Sequence, residues 1–195
     1  MKESLYNPII EEMKTKEVVK YRTINFLGDF NEESCYKCEY YIRKIMNLDK
    51  LENIKKEDLQ PIKIKISSYG GEVYELLGLL QLLKECKDKG YKIITECVGK
   101  AMSCGFALFI FGDERIASKY SSLLYHSVST YAVGKIQDIE DELTEAKRLN
   151  EIILDMTCEQ SNIPRELLEE VNKGKKDYIF SIEEVEKYNI ANKII

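Results

Sequence analysis

Three times between residues 22 and 111, a run of β-forming side chains gives way within a few residues to a helical pattern. That order confines the chain to few architectures. Residues 63–67, Lys-Ile-Lys-Ile-Ser, alternate polar and apolar side chains as a strand does, and Gly70 with Gly71 turns the chain into a helix predicted over 73–87. Before this unit, residues 22–27 read as a strand followed by a helix over 33–48. After it, residues 92–98 read as a buried strand that Gly99 ends, just ahead of a short apolar helix over 103–111. The expected fold is therefore α/β, with repeated strand–turn–helix units around a mainly parallel sheet.

Residues 1–21 read as a polar N-terminal arm. Residues 135–160 carry Ile136, Ile139, Leu143, Ala146, Leu149, Ile153 and Met156 as one apolar stripe along a long helix, and such a stripe needs a partner surface. Pro164 suits the first turn of the next helix, and Ser181 with Glu184 matches a capping box that starts the last one. No repeat or Pro/Gly/Ser-rich linker interrupts residues 22–195. A chain of 195 residues, 44% of them apolar, can build one substantial core.

The 29 basic and 34 acidic side chains are interleaved, with a net charge of -5, and leave no positive field to hold a phosphate backbone. No nucleic-acid partner is expected. No stretch approaches the roughly 20 apolar residues of a membrane helix, and the first residues do not form a signal-peptide core. The expectation is a cytoplasmic protein without membrane association. Cys35, Cys38, Cys86, Cys97, Cys104 and Cys158 are scattered through helix and buried-strand patterns, as reduced thiols are. Cys35 and Cys38 form a C-x-x-C inside a helical pattern, but no second pair completes four zinc ligands, so no metal site is expected.

Ser103 lies in Ala101-Met102-Ser103-Cys104-Gly105, between a predicted buried strand and a helix. That placement resembles a nucleophile elbow, whose turn lifts a hydroxyl out of the fold. The competing reading is a plain helix N-cap. The amide of Cys104, at the helix start, is a natural half of an oxyanion hole. The Gly70-Gly71 pair offers the other half, since glycine lets an N–H approach a substrate with no Cβ in the way, although such a pair is usually just a turn. His126 is the one histidine in the chain and ends the strand-like run 122–125, so any Ser-His mechanism has one base to use. Spacing does not choose the acid that would orient it, because triad members meet in space.

Taken together, these segments resemble the Clp protease proteolytic subunit, a serine peptidase of the crotonase-like superfamily. Its motif N-S-P-G-G-x-V corresponds to Ser67-Ser68-Tyr69-Gly70-Gly71-Glu72-Val73, and G-x-A-A-S-M-G-A to Gly99-Lys100-Ala101-Met102-Ser103-Cys104-Gly105-Phe106. M-I-H-Q-P becomes Leu124-Tyr125-His126-Ser127-Val128. The late pattern R-D-x-F-[ML]-[ST]-A-x-E-A-x-x-Y-G is followed from Lys176-Asp177 to Tyr188-Asn189. Motif order and intervals hold over about 22–195. The family's proline is Tyr69 here, its methionine is Cys104, and its glycine is Asn189, a residue that also adopts left-handed backbone. The arm lacks the family's Y-D-I-Y-S-R-L-L stretch, which bears on unfoldase docking.

The resemblance implies a Clp/crotonase-like fold in which 22–195 is the peptidase domain and 135–160 a protruding handle helix through which two rings meet. It implies a catalytic triad of Ser103, His126 and Asp177, with oxyanion-hole amides from Gly71 and Cys104. It also implies peptide or unfolded-protein substrates, an AAA+ unfoldase partner, and homo-oligomeric rings of seven that stack into a tetradecamer. No cofactor is required, and no ATP motif is visible, for Gly134-Lys135 runs into Ile136 without the upstream glycine of a P-loop. Three rivals remain: a catalytically silent ring subunit, a crotonase-fold acyl-CoA enzyme, and a Ser-Lys signal-peptide peptidase.

Overall fold

The computed structural model describes residues 8–195, with side chains from residue 12 onward; residues 1–7 of the expected arm lie outside the described residues. The rest of the arm is helix α1 (Pro8–Tyr21), whose Val18 and Val19 pack against the core. Strand β1 (Thr23–Leu27) leads into α2 (Glu32–Leu51), which starts at a reciprocal cap: Asn31 accepts from the Ser34 amide, and the Ser34 hydroxyl accepts from the Asn31 amide. Next come β2 (Ile62–Ser68), α3 (Val73–Asp88), β3 (Ile93–Met102), α4 (Cys104–Ile110), β4 (Glu114–Ala117) and β5 (Ser122–Tyr125). The C-terminal third holds α5 (Ile136–Gln160), α6 (Arg165–Gly174), β6 (Tyr178–Ile179), α7 (Ile182–Lys187) and β7 (Lys193–Ile194).

The sheet runs β1-β2-β3-β4-β7, all parallel, as the alternation of strands and helices predicts. The period-2 pattern of β2 separates its faces. Ile62, Ile64 and Ile66 are fully buried among residues of α2, α3 and α4, each stabilising by about 1.5–3 kcal/mol relative to exposure. Lys63 and Lys65 on the other face pair with Glu96 of β3. The Ser181–Glu184 capping box forms as expected, and Asn189 takes the left-handed conformation (φ +49°).

One expectation is corrected. Gly99 does not end the third strand, which continues to Met102. Gly99 (φ +82°) sits where the register between β2 and β3 shifts, and β3 changes neighbours there. Residues 94–96 pair with β4, whereas residues 100–102 pair with β5, so the sheet forks. A glycine at a bulge looks like a stop because both require backbone freedom.

The stripe on α5 is divided. Leu149, Ile153 and Leu154 are buried against the domain, while Ile136, Ile139 and Leu143 are exposed.

Candidate active site

Ser103 follows the last residue of β3 with φ +54° and ψ -121°, the conformation of the first central residue of a type II′ turn, where glycine is normally required. Holding a serine there costs about 1–3 kcal/mol, and the surroundings enforce it. Its N–H donates to the Leu124 carbonyl (3.0 Å), and its carbonyl accepts from the Ala107 amide (3.0 Å). Its side chain makes no capping bond. The plain N-cap reading fails, since a cap works through that oxygen.

The Gly70-Gly71 turn is pressed against this serine. A Cβ on Gly70 would lie 2.7 Å from the Ser103 Cβ, and one on Gly71 would lie 2.3 Å from the Phe30 carbonyl oxygen. Both residues also have positive φ (+119° and +142°), so glycine is demanded twice. Their polar groups can be followed one by one. The Gly70 N–H donates to the Ser68 hydroxyl (3.0 Å), and the Gly70 carbonyl accepts from the Phe30 amide (2.8 Å). The Gly71 carbonyl accepts from the Cys104 thiol (3.2 Å), and the next amide, of Glu72, donates to the Phe30 carbonyl (2.9 Å). Of the four backbone polar groups of this pair, the Gly71 N–H alone has no partner within the described residues. Gly71 is exposed, so that donor is open to a ligand.

The short branch of the sheet supplies the imidazole and a carboxylate. β5 and β6 are antiparallel with Leu124 opposite Ile179 and Tyr125 opposite Tyr178. One step further along the same register brings His126 opposite Asp177, and their Nδ1 and Oδ1 atoms stand 3.3 Å apart. The His126 side chain is 31% exposed and that of Asp177 70%. The segment after His126 is tied to α5, where the Val128 amide donates to the Asn150 side chain (3.1 Å).

Ser103, His126, Gly71 and Cys104 line one small cleft, of about 50 Å³, with apolar walls from Val73, Leu76, Val128 and Ile153. Asp177 stands behind the histidine, outside the lining. The Ser103 hydroxyl is not hydrogen-bonded to His126 in this structure. Such contacts are often long before substrate arrives. The other thiols lie apart from this cleft, and burial pushes that of Cys35 up to about 11 and that of Cys38 further, which keeps both neutral.

Sequence reasoning missed three contributors. Phe30 clamps the glycine turn by its backbone, Asn150 anchors the segment behind His126, and the thiol of Cys104 bonds the Gly71 carbonyl. The first two carry no local sequence signal. The third was visible only as a departure, a thiol in place of a thioether.

An α/β protein whose strand ends bring a hydroxyl, an imidazole–carboxylate pair and an unbonded amide to one cleft has the parts for acyl transfer. The chain belongs to the Clp protease family, whose model matches residues 12–195. It is 31% identical over 138 residues to the ATP-dependent Clp protease proteolytic subunit of Deinococcus radiodurans, covering 70% of this chain and 65% of that protein. It is 23% identical over 180 residues to the ATP-dependent Clp protease proteolytic subunit 1 of Borreliella burgdorferi, covering 91% of this chain and 86% of that one. Among the described residues, no helix is long and apolar enough to cross a membrane.

Proposed function

We propose that this protein is a serine endopeptidase working through an acyl-enzyme, with Ser103 as nucleophile, His126 as general base and Asp177 steadying the imidazolium. The His126–Asp177 pair at 3.3 Å beside the strained Ser103 turn is the observation that carries the reading. As Ser103 attacks a peptide carbonyl, His126 takes its proton, and the oxyanion is received by the N–H groups of Gly71 and Cys104. His126 then returns the proton to the leaving amine, and water, activated by the same imidazole, releases the acyl group. The apolar walls of the cleft favour an apolar side chain next to the cleaved bond.

Residues 22–195 act as the peptidase domain in this reading, and the substrates are peptides or unfolded proteins delivered by an ATP-driven unfoldase. The names of the relatives, ATP-dependent and proteolytic subunit, support that partnership. The chain assembles into rings of seven, and the exposed half of the α5 stripe supports a second ring stacked through that helix.

A second reading, a silent ring subunit, has one observation in its favour: Ser103 and His126 share a cleft without a hydrogen bond between them. Fluorophosphonate labelling separates the two. Covalent modification at Ser103, lost in Ser103→Ala, supports the peptidase; an unreactive wild-type ring overturns it.

A further inference from the structure

The mechanism above uses the backbone amide of Cys104 and leaves its side chain idle. That side chain is nonetheless buried, lines the cleft, and donates from Sγ to the Gly71 carbonyl at 3.2 Å. We propose that the Cys104 thiol is a positioning group which holds the Gly71–Glu72 peptide by its carbonyl and so steadies the Gly71 Cα and the N–H on its other side, tying the two oxyanion donors into one unit. The inference rests on the peptidase reading for its catalytic half, and on the hydrogen bond alone for its structural half.

Three of the four polar groups of Gly70-Gly71 are fixed from one side of the turn or the other. Ser68 and Phe30 hold the Gly70 groups, and Cys104 holds the Gly71 carbonyl. The peptide between Gly70 and Gly71 is flanked by residues at φ +119° and +142°, which carry no Cβ to limit their rotation. Phe30 fixes that peptide by its carbonyl end, at the Gly70 oxygen. The Gly71 carbonyl belongs to the following peptide, and without the thiol its orientation depends on the Glu72 amide alone. The Gly70 oxygen sets the plane that contains the Gly71 N–H, and the thiol steadies the plane that follows, so the Gly71 Cα between them is held from both sides. Burial pushes the thiol up to about 11, so it remains protonated and able to donate. Methionine, the family's residue at this position, is larger and offers no hydrogen to donate.

The test compares Cys104→Ala with Cys104→Ser in the assembled protein, by two readouts. Amide exchange over residues 70–76 reports the tether directly: it should quicken in Cys104→Ala and recover in Cys104→Ser, which keeps a donor. Hydrolysis of a fluorogenic peptide should show kcat lower by about 3- to 10-fold in Cys104→Ala with KM little changed, because the oxyanion forms only in the transition state. Cys104→Ser should restore most of that rate. Exchange that is equal in wild type and both variants overturns the tether whatever the activity. A tether confirmed by exchange with kcat equal in all three proteins overturns the positioning role. A wild-type protein unreactive at Ser103 overturns the peptidase reading, and the catalytic half of this inference with it, while exchange still decides the structural half.

Discussion

The branch of the sheet that runs through β4 and β7 buries a guanidinium, that of Arg115, whereas the branch through β5 and β6 holds a carboxylate, that of Asp177, at the surface. Arg115 of β4 is 5% exposed and spends its guanidinium on backbone carbonyls, donating to Ile190 (2.8 Å), Gly112 (3.0 Å) and Asn189 (2.8 Å). The C-terminal strand is thereby sewn to the sheet. Asp177, at the start of the other branch, is largely exposed and meets one imidazole. The first arrangement suits stability, since two buried acceptors and a partly buried one are satisfied at once. The second leaves the imidazole–carboxylate pair open to solvent and to a ligand. Both branches spring from one strand, and the fork at Gly99 lets the two share it.

The sharpest way to break this contrast is at the tip of β3. Ser103→Ala should lower peptide hydrolysis by at least about a thousandfold with little change in thermal unfolding, since the hydroxyl makes no capping bond. Appreciable hydrolysis by this variant would show that the reactive group lies elsewhere. Arg115→Ala, on the other branch, should do the reverse. Stranding two buried carbonyls and a partly buried one is expected to destabilise the fold by about 3 kcal/mol, a fall of roughly 6–12 °C in Tm, with hydrolysis per folded molecule retained. A wild-type melting curve would mean that water replaces the guanidinium easily.

Asp177→Asn should fall between these. The imidazolium loses its counter-charge, and kcat should drop by about 10- to 100-fold with no change in melting, because so exposed a carboxylate contributes little to stability. A wild-type rate would point to a different carboxylate. The smallest effect concerns the same branch just before β6, where Lys173, Lys175 and Lys176 precede Asp177 and, among the described residues, Lys173 alone of the three forms an ion pair, with Glu169 at 4.0 Å. If rings stack near these lysines, their repulsion is screened within a Debye length of about 10 Å at 0.1 M salt, so double rings should grow more abundant from low to moderate salt. Sedimentation across a salt series checks this, and a distribution independent of salt would mean that acids on α5 already neutralise the patch.

Much of the fold could be read from local pattern. Alternation in 63–67, the cap residues Ser181 and Glu184, and the stripe on 135–160 each act within a turn or two of the chain, and each produced the element expected. What escaped was decided by pairing. β3 passes through Gly99 because β5 waits on the far side to take up its hydrogen bonds, and a strand as short as β6 exists only as the partner of β5. The same holds at the cleft. Ser103 and the glycine pair stand out in the sequence, but the juxtaposition of His126 with Asp177 arises from an antiparallel register between distant segments. The Cys104–Gly71 bond joins two loops whose meeting no spacing rule describes.

The backbone angles of Ser103 place durability and usefulness in opposition at a single residue. Glycine would sit at φ +54° without complaint, so Ser103→Gly should relieve on the order of 1 kcal/mol of strain and could outlast the native protein on heating. In the proposed mechanism it would also have nothing with which to attack. Selection for robustness alone would push this position toward glycine, so on that reading the serine is kept for what it does to other molecules.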